Sequence, residues 1–246
     1  MTLSLAIDDL FVSRGAAAVV RGVSYGNDKP GWIGLVGANG SGKTTLLKAI
    51  AGRLPADSGR IVLGGEDVTR DRAARARRIG FAVEGNFLPG DLTPKELFSI
   101  SAVAPRAWER TELQALRHTL GIDALLHRKC GTLSAGMAQR VAIFGAFLDL
   151  PPVVILDEPF NWLDPVTAYD VKQALGRLVE DQRITLVTSL HDVTTLTSYC
   201  IRAILLSAGR IALTLEGDDL SDGRRDHAAF EAMLVDRLRE QQDREG

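Results

Sequence analysis

The sequence predicts an α/β fold with a mostly parallel sheet core, an antiparallel β edge and an inserted α-helical subdomain. Short apolar runs at Ile33–Val36, Val153–Leu156, 184–189 and 203–206 alternate with helical stretches. That is the pattern of a parallel sheet covered on both faces. From about Asn86 to Leu150 the pattern turns mostly helical, which marks the insert. After the last apolar run, "AGRIAL" reads as a turn into an antiparallel edge strand.

The elements follow in order. Residues 3–12 and 18–25 alternate weakly, as half-buried strands do. "GWIGLVG" holds the first parallel strand, and "TTLLKAIAG" a helix stopped by Gly52. "GRIVLGGEDV" is a strand pair or a strand and turn, and "RDRAARARRIGFAV" a basic exposed helix feeding a strand at Ile79–Val83. Thr93-Pro94-Lys95-Glu96 is a capping box with proline at the first helical position. Ser134 is a good N-cap for a helix running through Gln139 to Leu148. Beyond Glu216 the chain is charged, and "HAAFEAMLVDRLREQQDREG" reads as an amphipathic helix that frays into solvent.

Composition narrows the function classes. Of 246 residues, 46% are hydrophobic and 24% charged, so a sizeable core forms without disulfides or a structural metal. A net charge of −2 argues against nucleic acid as a bulk electrostatic partner, and the basic run 70–78 is expected to be a solvated helix face. Cys130 and Cys200 lack metal-site spacing and point to a reducing, cytosolic setting. "MTLSLAIDDLF" has no basic n-region, so no secretory signal is expected there. The most apolar window, Val141 to Leu156, is cut by Asp149 and Pro151-Pro152, so no membrane span is expected.

The chemistry is concentrated in three places. "GANGSGKT", Gly37 to Thr44, fits G-x-x-x-x-G-K-[ST] between a strand and a helix. Its glycines let backbone N–H groups wrap phosphates, Lys43 reaches the β- and γ-phosphates, and the Thr44 hydroxyl is offered to Mg²⁺. "VVILDEP" carries Asp157 and Glu158 to the C-terminal end of a buried strand, where ligands of open α/β sheets bind. Asp157 is placed to hold Mg²⁺, and Glu158 to orient or polarise an attacking water. His191 follows a further buried strand on the same edge, one strand along, within reach of the γ-phosphate and that water. A second anion-binding helix start, "GTLSAGMAQR", lies far from the first, and one nucleotide does not need both.

At this point the chain resembles the nucleotide-binding subunit of ABC transporters, over about residues 1–215. "GANGSGKT" is similar to Walker A, "LSAGM" to the ABC signature, "VVILDEP" to Walker B, "NWLD" (Asn161 to Asp164) to the D-loop, and His191 to the switch histidine. The resemblance implies a P-loop NTPase (RecA-like) core with ATP and Mg²⁺ as ligands. It implies a single ABC ATPase domain over 1–246, with the catalytic core at 1–85 and 151–215, a helical signature subdomain at 86–150 and a charged helical tail at 216–246. It carries nucleotide contacts to Gly37, Asn39, Gly40, Ser41, Gly42, Lys43, Thr44 and Thr45. In this family the signature closes over the ATP of a second subunit arranged head to tail. Ser134 and Gly136 are thus expected to contact the γ-phosphate across a dimer, which answers why two anion-binding helix starts exist.

Three departures from the family pattern matter. Glu84 stands where a glutamine is usual; it still offers a hard oxygen to Mg²⁺, adds negative charge, and resembles the ABC-2 type exporter branch, as does Met137. Ala135 replaces a glycine and is tolerated if its backbone is helical or extended. The usual adenine-stacking aromatic falls near Ser13-Arg14; Arg14 can stack its guanidinium on the base, with Phe11 as the other candidate. Trp162 in the D-loop either packs at the dimer interface or fills a gap.

The expected function is therefore an ATP-hydrolysing subunit that powers a separate membrane permease, by analogy an exporter, with a second ATPase subunit as partner. It would sit in the cytoplasm, peripheral on the cytoplasmic face of the membrane. The permease is expected near Glu84 to Phe98, at Phe87, Leu88 and Phe98. The alternative is a soluble ABC ATPase working on nucleic acid or a protein assembly. DNA-repair types need a long coiled-coil insert and translation-factor types two ATPase domains, and neither feature is present in this sequence.

Overall fold

The computed structural model describes residues 5–82 and 84–243. Two sheets form its frame. Strands β1 (Leu5–Arg14), β2 (Ala17–Gly26), β4 (Ser58–Leu63) and β5 (Glu66–Asp67) make a four-stranded antiparallel sheet in the order β2-β1-β4-β5. Strands β3 (Gly31–Val36), β6 (Ile79–Ala82), β7 (Val153–Leu156), β8 (Thr185–Ser189), β9 (Arg202–Ser207) and β10 (Arg210–Glu216) make a six-stranded sheet in the order β10-β9-β3-β8-β7-β6. Within it β10 alone runs antiparallel, at the edge. The expected core and its antiparallel edge are thus present. The separate antiparallel sheet goes beyond the expectation, because its strands alternate in burial while the parallel strands are buried throughout.

The central strands are apolar on every residue because each face meets a different core. In β7, Val153 and Ile155 join the cluster beneath the antiparallel sheet, with Leu10, Val12 and Leu47. Val154 and Leu156 point the other way, into a cluster with Phe144, Phe147 and Leu175. Period-two alternation assigns successive side chains to these opposite faces, so both sets must be apolar. Helix α1 (Lys43–Ile50) packs in the first cluster, and helices α5 (Ala135–Gly145) and α6 (Pro165–Gln182) in the second.

Helix α2 (Arg72–Arg78) connects β5 of the first sheet to β6 of the second and is capped by Asp71, which accepts from the Ala74 N–H. The insert holds α3 (Pro94–Ser101), α4 (Gln114–Thr119), α5 and several single 3₁₀ turns. The capping box at α3 is formed: Thr93 accepts from the Glu96 N–H, and Glu96 accepts from the Thr93 N–H. Helix α7 (Val193–Tyr199) follows β8, and α8 (Asp218–Arg225) and α9 (His227–Asp243) end the described chain.

Four expectations need correction. The basic run is not a fully solvated face: Arg75 is buried and donates to the Ala49 and Thr69 carbonyls at 2.8 Å each, closing the C-terminal end of α1. The tail does not simply fray, because Phe230 and Leu234 of α9 are buried in the core cluster beside Leu215 and Leu220. Phe98 is no surface residue; it is fully buried against Phe144 and unavailable for docking. Helix α5 stops at Gly145 rather than Leu148, and Val83 of the expected Ile79–Val83 strand lies outside the described residues. Among the described residues no helix is long and apolar enough to cross a membrane.

Candidate functional site

The phosphate loop hangs between β3 and α1. Gly40 and Gly42 sit at φ +82° and +105°, a region open to glycine and costly for other residues. Gly37 is fixed by space: a Cβ there would lie 2.2 Å from the Leu206 carbonyl oxygen. Lys43 is buried and donates to the carbonyls of Gly37 at 2.7 Å and Ala38 at 3.1 Å. Burial lowers its ammonium pKa against the opposing pull of Glu158 and Asp157. The Ser41 hydroxyl oxygen is buried with no protein partner, a cost that a bound phosphate oxygen would relieve. Asn39 is exposed on the loop, Thr44 half-buried and Thr45 buried. An orphaned hydroxyl, a glycine cradle and a buried cation together fit a polyphosphate.

The acidic half comes from β7 and β8. Asp157 is nearly buried, and its Oδ1 accepts from the Ser189 hydroxyl at 2.6 Å. The Ser189 oxygen in turn accepts from the Glu158 N–H at 2.6 Å, which ties the ends of the two strands together. Glu158 takes φ +47°, a conformation rare for its residue type and held here by its neighbours. Its Oε1 lies 2.9 Å from His191 Nε2, and its Oε2 accepts from the Asn161 amide at 2.6 Å. Burial raises the Glu158 pKa; the hydrogen bonds from His191 and Asn161 and the nearby positive charges outweigh that, leaving it below the usual value. Strand β8, which His191 follows, lies between β3 and β7 and is thus one strand along from the carboxylates. That order sets His191 between the phosphate loop and the carboxylates.

Glu84 begins the loop after β6, exposed, with the Gly85 N–H beside it donating to Gln139 Oε1 at 3.1 Å. The Gln139 amide also donates to the Pro159 carbonyl at 3.3 Å. One buried side chain of α5 thus ties the Glu84 loop to the loop holding Glu158. Gly85 has no room for a side chain, since a Cβ would come within 2.5 Å of the Gln139 nitrogen.

Ser134 caps α5 by accepting from the Met137 N–H at 3.3 Å, and is exposed. Ala135 begins the helix and is not among the positive-φ residues, so its methyl is tolerated. Gly136 lies under the Trp162 carbonyl, where a Cβ would meet that oxygen at 2.6 Å. Among the described residues neither Ser134 nor Gly136 hydrogen-bonds to Gly37–Thr45. Lys43, Asp157, Glu158 and His191 are brought together; the signature residues are not brought to them. Arg14 ends β1 exposed, and Phe11 is half-buried with its ring against Gly22. Sequence reasoning missed Ser189, Asn161 as a partner of Glu158, and Gln139. Neutral residues of this kind carry no signal until the fold places them.

The profile of the ABC transporter family matches residues 20–161. The chain belongs to the ABC transporter ATP-binding family. As such it is an ATP-binding and ATP-hydrolysing domain. It is 34% identical over 227 residues to a sulfate/thiosulfate import ATP-binding protein of Methylococcus capsulatus, covering 89% of this chain and 65% of that protein, just under two thirds of its length. It is 32% identical over 235 residues to a phosphonates import ATP-binding protein of Ruegeria pomeroyi, covering 89% and 86% of the two chains. A solved ATP-binding subunit of an ABC transporter superposes with a TM-score of 0.82 at 27% identity, over 96% of this chain and 99% of that one. A dimeric ATP-binding cassette in a post-hydrolysis state, bound to ADP and Pi, superposes at 0.76 with 22% identity over 86% and 98%. The relatives named are import subunits; the expectation of export came from Glu84 and Met137 alone.

Proposed function

We propose that two copies of this ABC ATPase bury two ATP molecules between them, and that the cycle of closure and hydrolysis drives a separate membrane permease. The observation that carries the reading is the split site. Lys43, Asp157, Glu158 and His191 converge at one sheet edge, while Ser134 and Gly136 lie on the D-loop side of α5 without bonding the phosphate loop. A second subunit in head-to-tail arrangement would supply the missing half, an isologous interface with two identical sites.

In this reading residues 1–85 and 151–215 form the catalytic core, 86–150 the signature subdomain and 216–246 the tail. The backbone of Gly37, Asn39, Gly40, Ser41 and Gly42 wraps the phosphates, with Lys43 and Thr45 beside them, and Arg14 takes the adenine face. Glu158 accepts a proton from the attacking water, and His191 holds that water and the γ-phosphate in line. The donors offered to a metal are all oxygen: the Thr44 hydroxyl, the Asp157 carboxylate and the Glu84 carboxylate. Among the described residues no cluster of three metal-ligating side chains exists, which fits an ion held mainly by phosphate and water, as Mg²⁺ is. When bound, Mg²⁺ neutralises charge on the β- and γ-phosphates.

The permease would dock in the groove of about 380 Å³ between core and insert, lined by Phe81, Phe87, Leu97, Val103, Arg53 and Arg77. Exposed Phe87 and Val103 support that placement. This would hold the protein at the cytoplasmic face of the membrane through its partner. A photoreactive residue at position 87, in cells, tests it. Crosslinks to a polytopic membrane protein are expected, and crosslinks confined to soluble proteins would move the reading to a soluble ABC ATPase.

A further inference from the structure

Helices α8 and α9 both pack on α7, the short helix that begins two residues after His191. Gly223 of α8 marks the closest approach. A Cβ there would lie 2.7 Å from the Thr197 methyl and 2.8 Å from the Phe230 ring, so only glycine fits between them. Phe230 and Leu234 of α9 seal the apolar side of this contact.

The polar side is more specific. Thr197 of α7 is fully buried, and its hydroxyl carries a single proton. Its Oγ1 lies 3.0 Å from the Val193 carbonyl oxygen and 3.1 Å from His227 Nε2. A carbonyl can only accept, so the hydroxyl donates to Val193. His227 Nε2 must therefore carry a proton and donate to Thr197, which both the neutral Nε2–H tautomer and the imidazolium can do. The Arg224 guanidinium of α8 donates to the Thr197 carbonyl. One residue of α7 is thus gripped at its hydroxyl by α9 and at its carbonyl by α8.

The other end of α7 is pinned at the site. Asp192 Oδ1 accepts from the Thr195 N–H at 2.6 Å, and Oδ2 accepts from the Thr195 hydroxyl at 2.7 Å and from Lys172 of α6 at 3.3 Å. Asp192 is joined directly to His191, whose Nε2 meets Glu158. Helix α7 has only 7 residues. Helices shorter than about 12 residues do not hold themselves in water, so packing decides where α7 sits.

We propose that α8 and α9 brace α7, and that Thr197, Arg224 and His227 are positioning residues that set His191 against Glu158. The proposal rests on the reading in which His191 holds the attacking water and the γ-phosphate, and it extends that site into the tail. The three residues act on hydrolysis through the imidazole.

The test is a kinetic cycle on the full-length chain with Mg-ATP. His227→Leu removes the donor to Thr197, and His227→Gln returns an N–H donor on a side chain of similar reach. His227→Leu is expected to lower kcat about 10-fold with KM for ATP unchanged, inside the 10²-fold that a misplaced reacting group can cost. His227→Gln is expected to recover most of the rate. In a His191→Ala background, single-turnover hydrolysis is expected to show no further loss from His227→Leu, whereas a general loss of folded protein would multiply in both backgrounds. Arg224→Ala trims an exposed side chain and repeats the cycle independently, with the same dependence on His191 expected. Wild-type kcat in both His227→Leu and Arg224→Ala, or losses equally large with and without His191, would overturn the brace. His191→Ala turning over like wild type would instead overturn the reading of His191 on which the brace rests.

Discussion

Oε1 of Glu158 lies 2.9 Å from Nε2 of His191, and the proposed mechanism is built on this pair. The carboxylate ends one buried strand and the imidazole follows its neighbour, so the sheet itself sets their separation. Ser189 completes the link by accepting from the Glu158 N–H while donating to Asp157.

Glu158→Gln keeps the shape and removes the proposed base. Phosphate release is expected to fall by about 10² to 10⁴, the usual worth of general-base catalysis, with ATP binding kept. His191→Ala is expected to fall within the same range. Turnover near wild type in either variant would place the water-activating group elsewhere.

In the proposed mechanism the acid limb of activity follows Glu158. Its pKa is raised by burial, then lowered further by the bonds from His191 and Asn161 and by nearby positive charge, to a net value below the usual one. A group depressed in this way contributes stability that is full above the ordinary carboxylate pKa and lost as pH falls through its folded value. Asn161→Ala removes one lowering bond, so the folded value moves up toward the ordinary one. The acid limb of the ATPase profile is expected at higher pH in that variant, and an unmoved limb would show that Asn161 does not tune Glu158.

Gln139 joins two loops through one buried amide. Gln139→Leu has similar bulk but leaves the Gly85 N–H and the Pro159 carbonyl unpaired. A loss of about 1–3 kcal/mol in urea unfolding follows from the cost of orphaned buried groups. A neutral result would mean that water replaces both bonds.

Gly37 and Gly40 predict opposite kinds of defect. Gly37→Ala drives a methyl to within 2.2 Å of the Leu206 carbonyl, so the loop must move and ATP affinity is expected to collapse. Gly40→Ala meets open space and suffers only its φ of +82°, about 1–2 kcal/mol of strain. Isothermal titration with ATP separates the two, and equal losses would contradict the steric account.

Much of this was legible in the sequence, for physical reasons. Val153–Leu156 is apolar at every position because it is buried on both faces, and Gly37 to Thr44 has a spacing dictated by phosphate geometry. Arg75 was misread because a run of arginines on a short helix looks solvated, and only the fold aims one at the end of α1. Phe98 was misread because a short apolar helix does not announce which residue faces inward. Ser189 and Gln139 were invisible because their importance lies in joining loops far apart in sequence. Trp162 was legible as unusual, yet its exposure and its seat on Gly136 come only from the folded chain.

The central claim is that each ATP lies between the phosphate loop of one chain and the signature of another. The most direct measurement is light scattering with ATP titration on Glu158→Gln, alone and with Ser134→Arg added. The account predicts one ATP per chain in both proteins, a doubled mass for Glu158→Gln in Mg-ATP, and a monomer for the double variant. A double variant that dimerises as well as Glu158→Gln, or that loses ATP binding outright, would contradict it.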